Sequence, residues 1–426
     1  MKQKNKKTKP VPRWLVILSL VFAGEMIFSL PFHVARFFRP TLLEVFHLTN
    51  TQLGDSIAVY GIMAMLAYFP GGALADRFSP RKLMTFSLLA TALGGFYFAL
   101  IPGQTGLSLL FGYWGITTIF LFWAAMIKAT REWGGHFSQG KAFGILDGGR
   151  GLVAAGAATL GVVILSTIMP ENVENTTGAE RQKALQAVIW LYTFLTAAAA
   201  VLTWFFISGA DKKTVHDRSN LMKGIKKVLV NRAVWLQAVI VICAYSAYKA
   251  LDYFSLYSVD VLKSNEVDAA WFISNASYLR AVSAIAAGFV VDRFSASRVI
   301  GWLFGILIVS YLLLSHFTPV AGKLWIIYSD IVVTFIAVYG LRGVYFALLE
   351  ETRISGNLTG TAVGLISVIG YTPDAFFNSL AGRILDASPG LQGHQHFYMV
   401  LAAFSAVGLV AAIMVSRNGN KKMRAI

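Results

Sequence analysis

The chain has 426 residues, of which 56% are hydrophobic and only 14% charged, with a formal net charge of +16. So little charge excludes an ordinary soluble domain of this length, and a mean hydropathy of +0.62 points to a lipid-embedded chain. The basic excess would suit a nucleic-acid binder if it were clustered in one place, but it is dealt out between apolar runs, so no nucleic-acid partner is expected.

Twelve apolar runs are read near 14–36, 51–76, 82–101, 106–129, 140–169, 186–209, 233–258, 269–293, 297–317, 323–349, 358–385 and 394–416. Each is about the length needed to cross ~30 Å of hydrocarbon. Long continuous runs predict helices, because strands would be short and alternating. Lys and Arg gather in alternate connections: residues 2–13, Arg77, Arg81 and Lys82, the 210–232 stretch, and the tail from Arg417. The other connections are poor in them, as with Arg39, Lys263 and Lys323. That asymmetry predicts both termini and the 210–232 stretch on the cytoplasmic side. The expected layout is a basic N-terminus (1–13), an N-terminal bundle (14–209), a linker (210–232), a C-terminal bundle (233–416) and a basic tail (417–426). Cys243 is the only cysteine, so no disulfide framework exists. The basic-then-apolar start resembles a signal peptide, but it is long and contains Glu25, so it is read as an uncleaved first span.

In the first span Glu25, Ser29, His33 and Arg36 follow spacings that place them on one helical face. Such a stripe is costly against lipid and must face the bundle interior. Pro31 should kink this helix. The second span ends in Gly72-x-Leu74-x-Asp76-Arg77-Phe78, followed by Arg81 and Lys82, and Asp292-Arg293-Phe294-Ser295 repeats the Asp76–Ser79 core with Arg298 nearby. A repeat half a chain apart implies two similar halves, the usual build of secondary transporters.

The Asp76 hairpin resembles the signature loop of the major facilitator superfamily, with Ser79 and Pro80 where the family pattern usually has Gly and Arg. The resemblance implies an all-α integral membrane protein with twelve transmembrane helices in two pseudo-symmetric six-helix bundles. It also implies that Asp76, Arg77 and Arg81, mirrored by Asp292, Arg293 and Arg298, latch the cytoplasmic side in one state. Glu132, Glu350 and Glu351, at the ends of the fourth and tenth spans, are candidate latch partners.

The stretch from Gly135 to Lys141 nearly spells a phosphate-binding loop. It fails because Ala142 replaces the final Ser/Thr and no strand precedes it. The fifth span is rich in glycine, which lets membrane helices approach closely, and holds Asp147 and Arg150 three residues apart. In the seventh, Tyr245, Lys249 and Asp252 share a face. The eighth carries Arg280, the tenth Arg342, and the eleventh Tyr371 and Asp374, with Pro373 expected to break the helix.

Each unpaired charge in a span costs at least ~2.5–3.5 kcal/mol, so these residues must pair or face water. Asp147 with Arg150 and Lys249 with Asp252 are expected to pair within their own helices. Arg280 and Arg342 have no local partner, and Arg suits planar capture of carboxylate or phosphate. The resemblance implies that the first, fourth, seventh and tenth spans line the cavity and that the fifth, eighth and eleventh flank it, which makes Arg36, Arg150, Lys249, Arg280, Arg342 and Tyr371 the candidate substrate-binding residues, and Glu25, Asp147, Asp252 and Asp374 the candidates for proton coupling. The expected function is alternating-access transport of a small anionic or zwitterionic solute, coupled to protons. The solute classes in view are a carboxylate, a siderophore-like polycarboxylate, an amino acid or a sugar phosphate. The setting is the lipid bilayer of a bacterial inner membrane, the expected state a monomer, and neither cofactor nor metal is expected. Efflux of amphipathic drugs is the alternative; the buried charges and the lack of the Gly-Pro motif usual in drug antiporters of the family weigh against it. A membrane enzyme would need a constellation that His136 and His216 do not supply.

Overall fold

The computed structural model describes residues 11–135, 139–169, 176–209, 228–320, 322–351 and 359–423. Most of the 210–232 linker, residues 1–10 and residues 424–426 lie outside the described residues, as do His136, His216 and part of the phosphate-loop-like stretch. The chain is helical, with no strand among the described residues.

Helix α1 (Arg13–Met26) passes through a π-helical turn (Ser29–His33) into α2 (Val34–Phe37), with a bend of 43°. Pro31 lies in that turn, where it supplies no N–H to the helical ladder. After α3 (Arg39–Val45), α4 runs from Asn50 to Arg77 (Asn50–Arg77), opened by a capping box between Thr49 and Gln52. Then follow α5 (Pro80–Phe98), α6 (Gln104–Ile116), a π segment (Thr117–Trp123), α7 (Ala124–Gly134), α8 (Gln139–Ile168) and α9 (Gly178–Phe206).

The second half begins with α10 (Arg232–Ala250), a 3-10 turn (Leu251–Tyr253) and α11 (Phe254–Asp260). Helices α12 (Glu266–Ser277) and α13 (Leu279–Arg293) meet at Tyr278. Helix α14 (Ala296–His316) precedes α15 (Leu324–Val344), which runs through a 3-10 turn (Tyr345–Ala347) into α16 (Leu348–Glu351). Helix α17 (Thr359–Gly370) stops just before Pro373, the first residue of α18 (Pro373–Ala387), and α19 (Leu391–Met423) ends the chain. The break at Pro373 is the one expected from its missing donor.

Seven helices are long and apolar enough to cross a membrane, or eight if the bent first pair is one span. The remaining expected spans coincide with α4, α5, the α12–α13 pair and the α17–α18 pair, which fall short of that measure among the described residues. Within the first half α4 packs on α6, α5 on α9, and α1 on α8 and α9; within the second, α14 and α10 pack on α19, and α13 on α15. Large apolar side chains such as Leu66, Phe86, Leu109, Phe194, Val282 and Val309 are exposed on the bundle's outer surface, the face that lipid would cover.

The two halves meet chiefly where α4 packs on α18 and α8 on α12 and α13. On α4, a Cβ at Gly54 or Gly61 would collide with the backbone of Asn378 or Asp374, so these glycines allow the close approach. Of the fifth-span glycines, Gly149 lies tight against Val21, Gly151 against the Arg280 side chain and Gly161 against Phe38, whereas Gly144, Gly148 and Gly156 have open space beside them.

Candidate functional site

The first-span stripe faces inward, but the π turn splits it. Ser29 turns to Thr196 (3.1 Å) and the Met26 carbonyl, while Glu25, His33 and Arg36 stay on the interior face, all nearly fully buried. Glu25 is the hub of the first charge cluster. Its Oε1 lies 3.2 Å from His33 Nε2 and 3.4 Å from Arg280 Nη1, and its Oε2 accepts from Arg150 Nε at 3.0 Å. Arg280 Nη2 donates to Asp147 Oδ1 at 3.0 Å. Asp147 and Arg150 therefore do not form the expected pair within their helix. Each reaches a different helix, and the arginine of the C-terminal half ties both carboxylates of the N-terminal half together.

The second cluster also bridges the halves. Arg36 of α2 pairs through Nε with Asp252, and its Nη1 donates to Tyr248 Oη at 2.9 Å. Lys249 Nζ lies 3.2 Å from Asp374 Oδ1 and 3.7 Å from Asp252 Oδ2, so the expected Lys249–Asp252 pair is the longer of its two contacts. Tyr245 donates to Asp374 at 2.9 Å. The breaks in the helices help to place these groups. Asp252 sits in the 3-10 turn after α10, and Asp374 in the first turn of α18, where a carboxylate also meets a helix N-terminus.

Arg342 is different. Its guanidinium stacks 4.0 Å over the Tyr248 ring, whose other contacts include Arg36 at 4.5 Å. Arg342 has no carboxylate partner among the described residues, and its Nη1 is buried without a hydrogen bond.

Between the halves lies a chamber of about 80 Å³. Glu25, Arg36, Arg150, Lys249, Arg342, Tyr371 and Asp374 line it, with Phe28, Phe32, Ile119 and Trp123 on the side of the first half. Arg280, Asp147 and Asp252 stand behind this lining as partners of the residues that form it. Tyr371 Oη meets Tyr345 Oη at 3.2 Å and its ring packs on Tyr245. No cluster of potential metal ligands occurs among the described residues.

One end of the bundle, opposite the hairpins, carries contacts that sequence reasoning missed. Asp386 of α18 accepts the backbone N–H groups of Asn50 and Thr51 at 3.1 and 2.7 Å, capping α4 from the other half. One turn in, Asp55 pairs with Arg383 at 2.7 Å and accepts from Ser379. Glu266 joins Thr41 (2.6 Å) and Arg181 (2.9 Å). Arg39, read as a loop residue, is fully buried, with Nε on Asn50 and its guanidinium 4.0 Å over Tyr253. The available signals were Gly54 and Gly61, two turns apart, and the i,i+3 pair Arg383 and Asp386, neither of which names a partner.

At the hairpin end Arg77, Glu132, Asp292, Arg293 and Arg298 are exposed, and no ion pair at them occurs among the described residues. Arg81 is held inside its own half, donating to the Ile207 carbonyl at 2.7 Å. The Asp76 and Glu350 side chains lie outside the described part of their helices.

Residues 17–373 match the family model of the Major Facilitator Superfamily. The chain is 26% identical over 420 residues to the inner membrane protein YihN of Escherichia coli, covering 97% of each chain. It is 26% identical over 314 residues to a probable nitrate/nitrite antiporter of Thermus thermophilus, covering 70% of this chain and 64% of that protein. Among solved structures, a bacterial homologue of the human lysosomal transporter Spinster, in an inward-facing and unoccupied conformation, superposes with a TM-score of 0.74 at 14% identity, covering 97% of this chain and 98% of that one.

Proposed function

The chain belongs to the major facilitator superfamily and is a multi-pass membrane transporter, and on that footing we propose that it moves a small anionic solute by alternating access, with Arg342 as the anchor of the anion. The observation that carries this reading is the unpaired guanidinium. Around the chamber stand the cations Arg36, Arg150, Lys249, Arg280 and Arg342 and the carboxylates Glu25, Asp147, Asp252 and Asp374. With His33 counted neutral, one positive charge remains over, and it is the one without a carboxylate partner. A buried charge left alone is costly, and an anionic ligand supplies the missing partner.

The probable nitrate/nitrite antiporter among the relatives gives independent support for an anion as cargo. The drug-efflux alternative is disfavoured by the charges that line the chamber, which a large apolar solute would leave without partners.

Positive-inside asymmetry assigns the hairpin end to the cytoplasm. The described conformation is then closed to the outside and corresponds to the cytoplasm-facing half of the cycle. Solute and protons shift the balance between states only through different affinities for them. Asp374 is the proposed proton-exchanging carboxyl. It lines the chamber with 14% side-chain exposure against 4% for Glu25, and it shares Lys249 with Asp252. Protonating Asp374 would free Lys249 to pair with Asp252 alone.

Uptake into proteoliposomes, with and without a pH gradient, tests the assignment. Arg342→Gln removes charge-assisted hydrogen bonds of ~1.5–3 kcal/mol, so affinity for the anion should fall roughly 10- to 100-fold while Arg342→Lys retains part of it. Asp374→Asn should abolish acceleration by an inward proton gradient. Unaltered anion affinity in Arg342→Gln would remove Arg342 from the site.

A further inference from the structure

The geometry points to a substrate of narrower chemistry, a monovalent carboxylate with an apolar body, and this inference rests on the anion reading above. Two features of the chamber carry it, its charge and the segregation of its walls.

With Asp374 ionised and His33 neutral, the surplus around the chamber is one positive charge. A single carboxylate balances it. A second negative charge on the solute would lack a partner among these side chains, since Arg36, Arg150, Lys249 and Arg280 already hold carboxylates at hydrogen-bonding or ion-pair distance. An unpaired charge in such a site costs several kcal/mol even after relaxation. Dicarboxylates, polycarboxylates and phosphate monoesters are therefore poor fits. The guanidinium of Arg342 is held flat on Tyr248, at 4.0 Å, so its edge is left to donate in-plane to a planar carboxylate.

The opposite wall has another character. Phe28, Phe32, Ala64, Ile119 and Trp123 line it from the first half, together with Tyr68 and with Tyr60, whose hydroxyl is already bonded to Thr118. Their rings form a continuous surface: Phe28 meets Trp123 edge to face at 6.1 Å, and Phe32 meets Tyr60 at 4.7 Å. Lys249 over Phe32 (4.0 Å) and Arg150 over Phe28 (5.6 Å) tie this wall to the charge clusters. Covering an apolar surface with an apolar group is favourable. Against Phe28, Phe32 and Ile119 a solute's hydroxyls find no partner and lose those they had in water, the Trp123 indole N–H and the Tyr68 phenol being the polar exceptions. The fitting ligand places its carboxylate on Arg342 of the C-terminal half and its apolar body on the aromatic wall of the N-terminal half. In doing so it bridges the two bodies that must move relative to one another.

The test uses the purified full chain in proteoliposomes, with phenylacetate, gluconate, phthalate, glucose 6-phosphate and nitrate as probes. Phenylacetate should be carried with a KM about tenfold or more below those of gluconate and phthalate, the discrimination expected from one apolar subsite and one unpaired charge. Trp123→Ala, or Phe32→Leu should the first variant not yield a monodisperse protein, should bring the phenylacetate-to-gluconate ratio towards one. Gluconate or phthalate carried as well as phenylacetate, or a ratio unmoved in both wall variants, would overturn the inference while leaving anion transport standing. Transport of nitrate alone would do the same. Transport of none of the anions would overturn both readings together.

Discussion

The two ends of the bundle hold their charges in opposite ways. At the far end, charged and polar groups of one half are spent on the other: Asp386 on the N-terminus of α4, Arg383 on Asp55, Glu266 on Thr41 and Arg181, and, deeper in, Asp252 on Arg36. At the hairpin end, Arg77, Glu132, Asp292, Arg293 and Arg298 are exposed. One end is shut by directional contacts between the halves, while the charges of the other are available to solvent. The difference teaches that a closed gate is legible as inter-half hydrogen bonding, and that the same chain needs a second set of partners for its other state.

The largest way to break the contrast is to remove the buried pair. Asp252→Asn leaves Arg36 buried without its counter-charge, and breaking such a pair costs ~3–5 kcal/mol. We expect the protein to lose thermal stability and the far-end-closed form to fall by more than a hundredfold relative to the open one. The readout is labelling of a cysteine introduced at Ser258, buried on α11, the helix that packs on α3 of the other half, by a membrane-impermeant maleimide, alongside a melting curve. The native Cys243 is buried and gives little background. Unchanged labelling and melting would mean that Arg36 finds another partner.

The cap comes next. Thr49 already accepts from the Gln52 N–H, so α4 keeps its own cap, and Asp386 adds the Asn50 and Thr51 donors from outside. In a form open at the far end those two donors would be free to bond water. Asp386→Ala should therefore shift the closed-to-open ratio by roughly two- to thirtyfold, the range measured for lost caps. Equal labelling rates of Ser258→Cys with and without Asp386 would show that the cap forms in both states or contributes nothing to closure.

How much of this was readable beforehand follows from the kind of interaction. The bend at Pro31 and the break at Pro373 were legible because a missing donor is a local fact of the chain. The inward face of the first span was legible from helical spacing, but Ser29 left the stripe because a π turn adds a residue that a 3.6 period does not anticipate. The breaks after Ala250 and Val344 contain neither proline nor glycine and gave no signal. Partner choice was the least legible. Asp147 and Arg150, at i,i+3, had the spacing of a local pair, yet Arg280 of the other half and Glu25 of the same half claim them, because α13 and α1 both pack on α8. Arg39 read as an ordinary loop charge and Asp386 drew no reading, since only the packing of α18 on α4 and the burial of α3 give them work.

The smallest effect sharpens the comparison most. The Arg383–Asp55 pair belongs to the far-end contacts but is open to water, with side chains 57% and 40% exposed. Exposed ion pairs contribute little and are screened by salt. Arg383→Ala should change the labelling ratio by less than about threefold, and that change should vanish when ionic strength is raised to about 1 M, where the Debye length is only ~3 Å. The Asp386→Ala shift should survive the same salt, because backbone donors directly bonded to a partly buried carboxylate are screened far less. If Arg383→Ala proved the stronger of the two, closure would rest on the solvent-exposed charges rather than on the cap, and the far end would resemble the hairpin end more closely than its geometry implies.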